Sequence, residues 1–410
     1  PGAGSLTGPR LGAPPLAYLP DRGVGVELEL ITLAAETGRG CFTKAEELSS
    51  LVEATQRGGA PDDASCAESC AAEMRSLLAR CARWTHEVDD HIMPSSHDLA
   101  ARTAREEAAR GGADARSVPL VERLHAGGAG TMKSEYKSPP PAEGALNFAR
   151  SGAAELTCFL RLIRHLGAAA PSLSATANSG SSIHVHVNVR SAVAGGDALS
   201  VPELLTVYFA WVQFDLVTAR FARPWMWREP SMAPMYATGS EFAWHEKAWA
   251  QGGCTSESAR EGAHDVPRFL RAVRAILAEE GFDALPEAEQ LERLFGRSAG
   301  TPASRIGRYC SLNLRRLTTY GTLEVRRFHA TLDPAVAVCW AHFCAAFVEC
   351  FRGHGLWARL LAAASHDDAL AELVAAQEAA TPAKLMAEMA GYVDAGTADY
   401  LMRDSGAQPR

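Results

Sequence analysis

Between Gly180 and Val189 the chain reads GSSIHVHVNV, and few stretches leave so little choice of structure. Ile183, Val185, Val187 and Val189 alternate strictly with His184, His186 and Asn188. A strand sends successive side chains to opposite faces. One face is therefore wholly β-branched and belongs on a core. The other carries two imidazoles and a carboxamide in a row, with His184 and His186 roughly 7 Å apart by strand rise. Such a face looks toward a metal or an anionic substrate, or else is the polar outer side of a half-buried strand.

Composition narrows the setting. The 410 residues are 47% hydrophobic and 21% charged, enough for a large globular core. The net charge is -8 with no block of Lys or Arg, so nucleic acid is not an expected partner. No apolar run reaches the length expected of a membrane span. The ten Cys are scattered without a CxxC pair, and Cys158, Cys339 and Cys350 fall on apolar helix faces. Reduced, buried thiols point to a cytoplasmic compartment. The oligomeric state leaves no mark on the sequence.

Residues 1–22 are rich in Pro and Gly and read as a flexible lead-in. Val24 to Ile31 is the first strand, with Glu27 and Glu29 on one face. Two carboxylates there repel each other unless a cation lies beside them or the strand is a solvent-facing edge. Helices are expected at Lys44–Gln56, Ser69–Trp84 and Leu99–Arg110, the last inside a polar insertion at about 94–130. Thr131 to Ser138 is strand-like and stops at three prolines, which sets Glu135 at a strand end. Apolar spacing predicts helices at Glu143–Leu166, Val201–Phe221, Asp265–Glu280 and Glu287–Phe295. Arg223 to Trp249 has no period but holds Trp225, Trp227, Tyr236 and Trp244, a buried cap or a lid over substrate. This lid begins a second insertion, about 228–300. Arg308 to Leu314 and Thr322 to His329 read as strands. On the latter, Thr322, Glu324, Arg326 and Phe328 are expected on one face, and Leu323, Val325, Arg327 and His329 on the other. Glu324 and Arg326 form a cross-face ion pair, or Arg326 offers its fork to phosphate. A core helix follows Asp333, and 353–410 reads as a helical extension of the same domain.

Four strands thus carry Glu27 and Glu29, Glu135, the His184–His186–Asn188 row, and Glu324 with Arg326. Four carboxylates and a His suit two or three Mg²⁺ or Mn²⁺ ions, which prefer oxygen ligands. A zinc enzyme would draw on more His or Cys.

The order of these segments resembles the amidoligase family, in the carboxylate–amine ligase superfamily with glutamine synthetase and glutamate–cysteine ligase. The matching segments are Gly25-Val-Glu27-Leu-Glu29, Trp84 to Asp89 or Asp90, Glu135-Tyr-Lys-Ser138-Pro-Pro140, His184-Val-His186-Val, Arg308-Tyr-Cys-Ser-Leu-Asn313, Gly321-Thr-Leu-Glu324-Val-Arg326 and Phe328-His-Ala330-Thr-Leu-Asp333. They span about residues 23–352, the catalytic domain by resemblance. Asn188 stands where the family often has Asp, Ala330 where it has Gly, and the Cys-Gly-Leu wording before His184 is missing.

The resemblance implies an α+β fold: a curved, mainly antiparallel sheet forming a half-open funnel, with helices on its outer face. It implies an ATP-dependent ligase that joins a small-molecule or peptide carboxylate to an amine through an acyl phosphate. Glu29 and Glu135 would hold one Mg²⁺, and Glu27, His184 and Glu324 another. His186 and Asn188 would line the phosphate pocket, and Arg326 with Arg308 would stabilise the phosphoryl group. Asn313, Trp225 and Tyr236 would face substrate. A metal-dependent hydrolase, a cupin-type metalloenzyme and a non-catalytic nucleotide-binding relative are the alternatives.

Overall fold

Eight strands pair into one open sheet, every pairing antiparallel, in a computed structural model that describes residues 20–33, 79, 81, 83–88, 131–139, 145–169, 175–176, 181–190, 197–222, 266–298, 300–306, 310–393, 397 and 400. The main path runs β2 (Thr85–Val88), β3 (Thr131–Lys137), β1 (Gly23–Leu33), β6 (Ser182–Asn188), β8 (Thr322–His329), β7 (Leu312–Asn313). The short strands β4 (Leu146–Asn147) and β5 (Ala175–Thr176) pair with β1 off this path. The mixed helix-and-antiparallel-sheet class matches expectation. The strand that carries His184 lies at the centre, between β1 and β8.

Apolar alternation decides which side the helices take. Val24, Val26, Leu28 and Leu30 of β1 and Ile183, Val185 and Val187 of β6 are all buried. The helix Pro334–Phe351 packs on this side, across β6 and β1. Asp333 caps it by accepting from the Ala335 N–H, and Pro334 opens its first turn. Trp340 of this helix stacks on Phe328 of β8 at 4.5 Å and 15°. The helix is long and apolar enough to cross a membrane, contrary to the sequence expectation, with a mean hydropathy of 1.6. Yet 78% of its apolar window is buried inside the fold, which accounts for the composition as core packing.

The helix Val201–Thr218 is buried almost all round and lies in the same layer. Ser200 and Glu203 form a reciprocal capping box at its start. Its Asp215 reaches back to β8, where Arg327 bonds both its carboxylate and its carbonyl. The chain then supplies helices at Val266–Leu277, Glu287–Phe295, Leu356–Ala362, His366–Glu378 and Pro382–Glu388.

Two local readings change. The helix expected from Glu143 begins at Gly152, because Leu146 and Asn147 pair with Val24 and Gly23 instead. Asn147 bonds Asp21 and accepts from the Ala149 N–H, which turns the chain. A Cβ at Gly152 would lie 2.5 Å from the Asn147 nitrogen, so this turn needs glycine. Phe328 also leaves its expected face. Ile183 and Val185 of β6 lie opposite Phe328 and Val325 of β8, so β8 carries one extra residue there. This bulge puts consecutive Arg327 and Phe328 both on the helix side, against Asp215 and Trp340.

The expected helices at Lys44–Gln56 and Leu99–Arg110, most of Ser69–Trp84, the insertion at 94–130 and the 223–249 loop lie outside the described residues.

Candidate metal centre

Strand register builds the polar face without long-range coincidence. Glu29 lies opposite Glu135, Glu27 opposite His184, His186 opposite Glu324, and Glu324 opposite Asn313. Period-two alternation aims these side chains to the side away from the helices. Four strands deliver one transverse row of carboxylates and imidazoles, and β7 adds the Asn313 carboxamide beside Glu324.

Glu27 is the shared member. Its carboxylate lies 3.2 Å from His184 Nδ1 and 3.1 Å from His186 Nε2. With Glu135 and His184 it forms one group whose ligand atoms all lie within 4.8 Å of one another. With His186 and Glu324 it forms a second such group. That spacing is about twice a metal–oxygen distance and fits one ion per group. The Nε2 of His186 supports the fit: it is buried and outside hydrogen-bonding geometry, though Glu27 and Glu324 lie 3.1 and 3.8 Å away. Thr322 Oγ1 engages its Nδ1 at 3.1 Å, as the outer partner of a ligating His does.

The charges on this face are coupled to one another. Burial alone would raise Glu27, but contacts with His184 and His186 outweigh it and hold it well below the carboxylate range. Burial and the neighbouring Glu27 charge raise Glu135, against the pull of Lys137. Burial and Arg326 push His184 down, and Glu29 and Glu27 outweigh them, so it ends above its ordinary value. Two carboxylates about 4 Å apart repel by roughly 4 kcal/mol at an effective dielectric of 20. The half-buried Lys137 bridge to Glu135, at 2.9 Å, offsets about 1 kcal/mol of that at most. A divalent cation held by these groups would offset more.

Glu324 is fully buried and its hydrogen bonds are crowded. Asn313 Nδ2 donates at 2.7 Å, Arg316 Nε at 3.2 Å, and Arg326 closes a third contact. Burial opposes ionisation, but Arg326 and the two imidazoles hold its pKa down at about 2. In return the carboxylates raise Arg326 above the usual guanidinium value.

Several expected site residues have partners that the sequence did not indicate. His186, expected beside phosphate, joins the second cation group. Glu29, expected as a ligand, falls in neither group and accepts from the Ser182 N–H at 2.8 Å and from its hydroxyl. Asn188 is fully buried, and its carboxamide oxygen accepts from the Arg190 N–H. Asn313 acts on Glu324. Arg308, Trp225 and Tyr236 lie outside the described residues. Ser138 of the Pro-stop segment bonds both backbone groups of Val26 and locks β1 to the end of β3. Trp84 stacks on Phe159 at 3.7 Å in the core.

Sequence reading missed Ser182 and Arg316. Ser182 is two residues before His184, so strand period alone puts both on one face. Its Oγ sits 2.6 Å from His184 Nε2, while His184 Nδ1 faces Glu27. This Glu–His–Ser connectivity is that of a hydrolytic triad. However, Ser182 is fully buried and its hydroxyl is committed to Glu29, which suits ring orientation and not attack on a substrate.

No family model, curated protein or solved structure matches the chain.

Proposed function

We propose that the chain is an ATP-dependent carboxylate–amine ligase working on the polar face of this sheet. The observation that carries the reading is Glu27 shared between two groups of cation ligands, with Arg326 and Arg316 beside the second. Glu27, Glu135 and His184 would hold one Mg²⁺ or Mn²⁺, and Glu27, His186 and Glu324 the other. These ions, when bound, neutralise phosphate oxygens and orient them. The oxygen-rich donor set favours hard ions over zinc. The resemblance to amidoligases supports the same reading and adds the half-open funnel shape.

In this chemistry a substrate carboxylate oxygen attacks the γ-phosphorus of ATP, and the bond to the β–γ bridging oxygen breaks. ADP leaves, and an acyl phosphate remains. An amine nitrogen then attacks the acyl carbon, the carbon–oxygen bond to phosphate breaks, and a proton leaves the nitrogen. Arg326 offers charge to the moving phosphoryl group. Arg308 would join it, and Trp225 and Tyr236 would shield the acyl phosphate from water.

The test incubates the protein with ATP, Mg²⁺ and pools of amino acids and peptides, and monitors phosphate. Amine-dependent release that disappears in Glu27→Ala and Glu324→Ala is expected. No release by wild type, or undiminished release by both variants, rejects the reading.

A further inference from the structure

Among the described residues two large apolar side chains stand exposed, Tyr320 and Leu361. An isolated exposed side chain needs no explanation. Tyr320 is different because of its address. Its ring meets the His186 imidazole edge-on, with centroids 6.4 Å apart and planes at 79°. The guanidinium of Arg316 lies 5.4 Å from its centroid. That same Arg316 bonds Glu324. Tyr320 is thus tied to one imidazole and one carboxylate of the second cation group, yet 52% of it is exposed.

The backbone places Tyr320 there closely. Tyr320 ends the short helix Leu317–Tyr320, and its N–H donates to the Arg316 carbonyl at 2.8 Å. Gly321 comes next with φ of +66° and turns directly into the strand that carries Glu324. The backbone of Tyr320 is therefore fixed directly before the strand that carries Glu324.

We propose that Tyr320 is the stacking platform for the purine base of a nucleotide whose phosphates meet the cation groups. The inference rests on the ligase reading and extends it to base recognition. A flat ring beside a polyphosphate site, with a guanidinium against it, offers a π-face to a base and positive charge to the phosphates joined to that base. An aliphatic ligand would gain little from such a ring, and a bare polyphosphate would gain nothing.

The experiment is calorimetric titration of the full chain with a non-hydrolysable ATP analogue and, separately, with inorganic tripolyphosphate, both in Mg²⁺. Wild type, Tyr320→Ala, Tyr320→Phe and Tyr320→Trp are compared. Tyr320→Ala is expected to weaken the analogue about tenfold and leave tripolyphosphate within about twofold, while Phe and Trp retain wild-type affinity. If wild type binds the analogue no more tightly than tripolyphosphate, or Tyr320→Ala weakens both alike or neither, the platform is overturned and the ligase reading stands. If wild type binds neither ligand, both fall.

Discussion

Asp215 and Arg327 form an ion pair with neither side chain exposed, Oδ1 and Nη1 2.9 Å apart. Ser311 donates to the same carboxylate at 2.6 Å, and Trp211 donates to Ser311. The pair anchors β8 to the helix layer directly behind Glu324 and Arg326. Removing one partner leaves a buried charge, at a cost of about 3–5 kcal/mol. Asp215→Ala should therefore lower unfolding free energy in urea by about that amount. Asp215→Leu combined with Arg327→Met should recover most of it, and a double variant as unstable as Asp215→Ala would show that the charge is not the cause.

The shared carboxylate predicts unequal stoichiometry. Wild type should take up two Mn²⁺ per chain by calorimetry. Glu135→Gln should keep one, and Glu27→Gln should keep none. Each ion should also raise the unfolding free energy by about 2.7 kcal/mol at a hundredfold excess over its dissociation constant. Retention of two ions by Glu27→Gln would sink the two-group centre.

Arg326→Lys keeps a positive charge and loses the planar fork. If the guanidinium meets the phosphoryl group, amine-dependent phosphate release should fall roughly 100-fold in kcat with Mn²⁺ stoichiometry unchanged. A loss confined to KM would place Arg326 in ground-state binding instead.

The capping box gives a pH prediction away from the centre. Burial would raise Glu203, but the Ser200 N–H and Arg352 outweigh it and hold its pKa below 4.5. A carboxylate depressed in the folded state stabilises above its unfolded value and stops doing so as pH falls through the folded one. Glu203→Gln should thus be less stable than wild type at neutral pH. The difference should shrink as pH drops below 4.5 and vanish once both states are protonated. Ser200→Ala should cost about 1 kcal/mol. A Glu203→Gln deficit that persists in acid would assign the effect to packing.

Legibility in the sequence tracked periodicity. The alternation of His184 and His186 with Val185 and Val187 carried enough information to place β6, its core face and its polar row. Glu27 was readable for the same reason. Phe328 was not, because a bulge breaks the count, and no residue type announces one in an RRF run. The start at Gly152 was hidden because Leu146 and Phe148 satisfy a helical stripe while pairing and turning elsewhere. Glu29 looked equivalent to Glu27, and only the approach of Ser182 separates them. The contacts of His186 with Thr322 and Glu27 depend on two other strands.

The extra residue in β8 has a consequence for what kinds of change the chain can survive. Residue 326 serves the polar face and residue 327 the core, and Phe328 returns to the core only because the strand is one residue longer than its neighbour. Excising a single residue between Val325 and Phe328 would restore an unbroken pleat, and one arginine would remain for two posts. Standing between core-facing Val325 and Phe328, that arginine would face Glu324, and the anchor at Asp215 would be lost. Point substitutions there are graded in effect, whereas a change of length removes the tie to the helix layer outright and leaves the polar row in register.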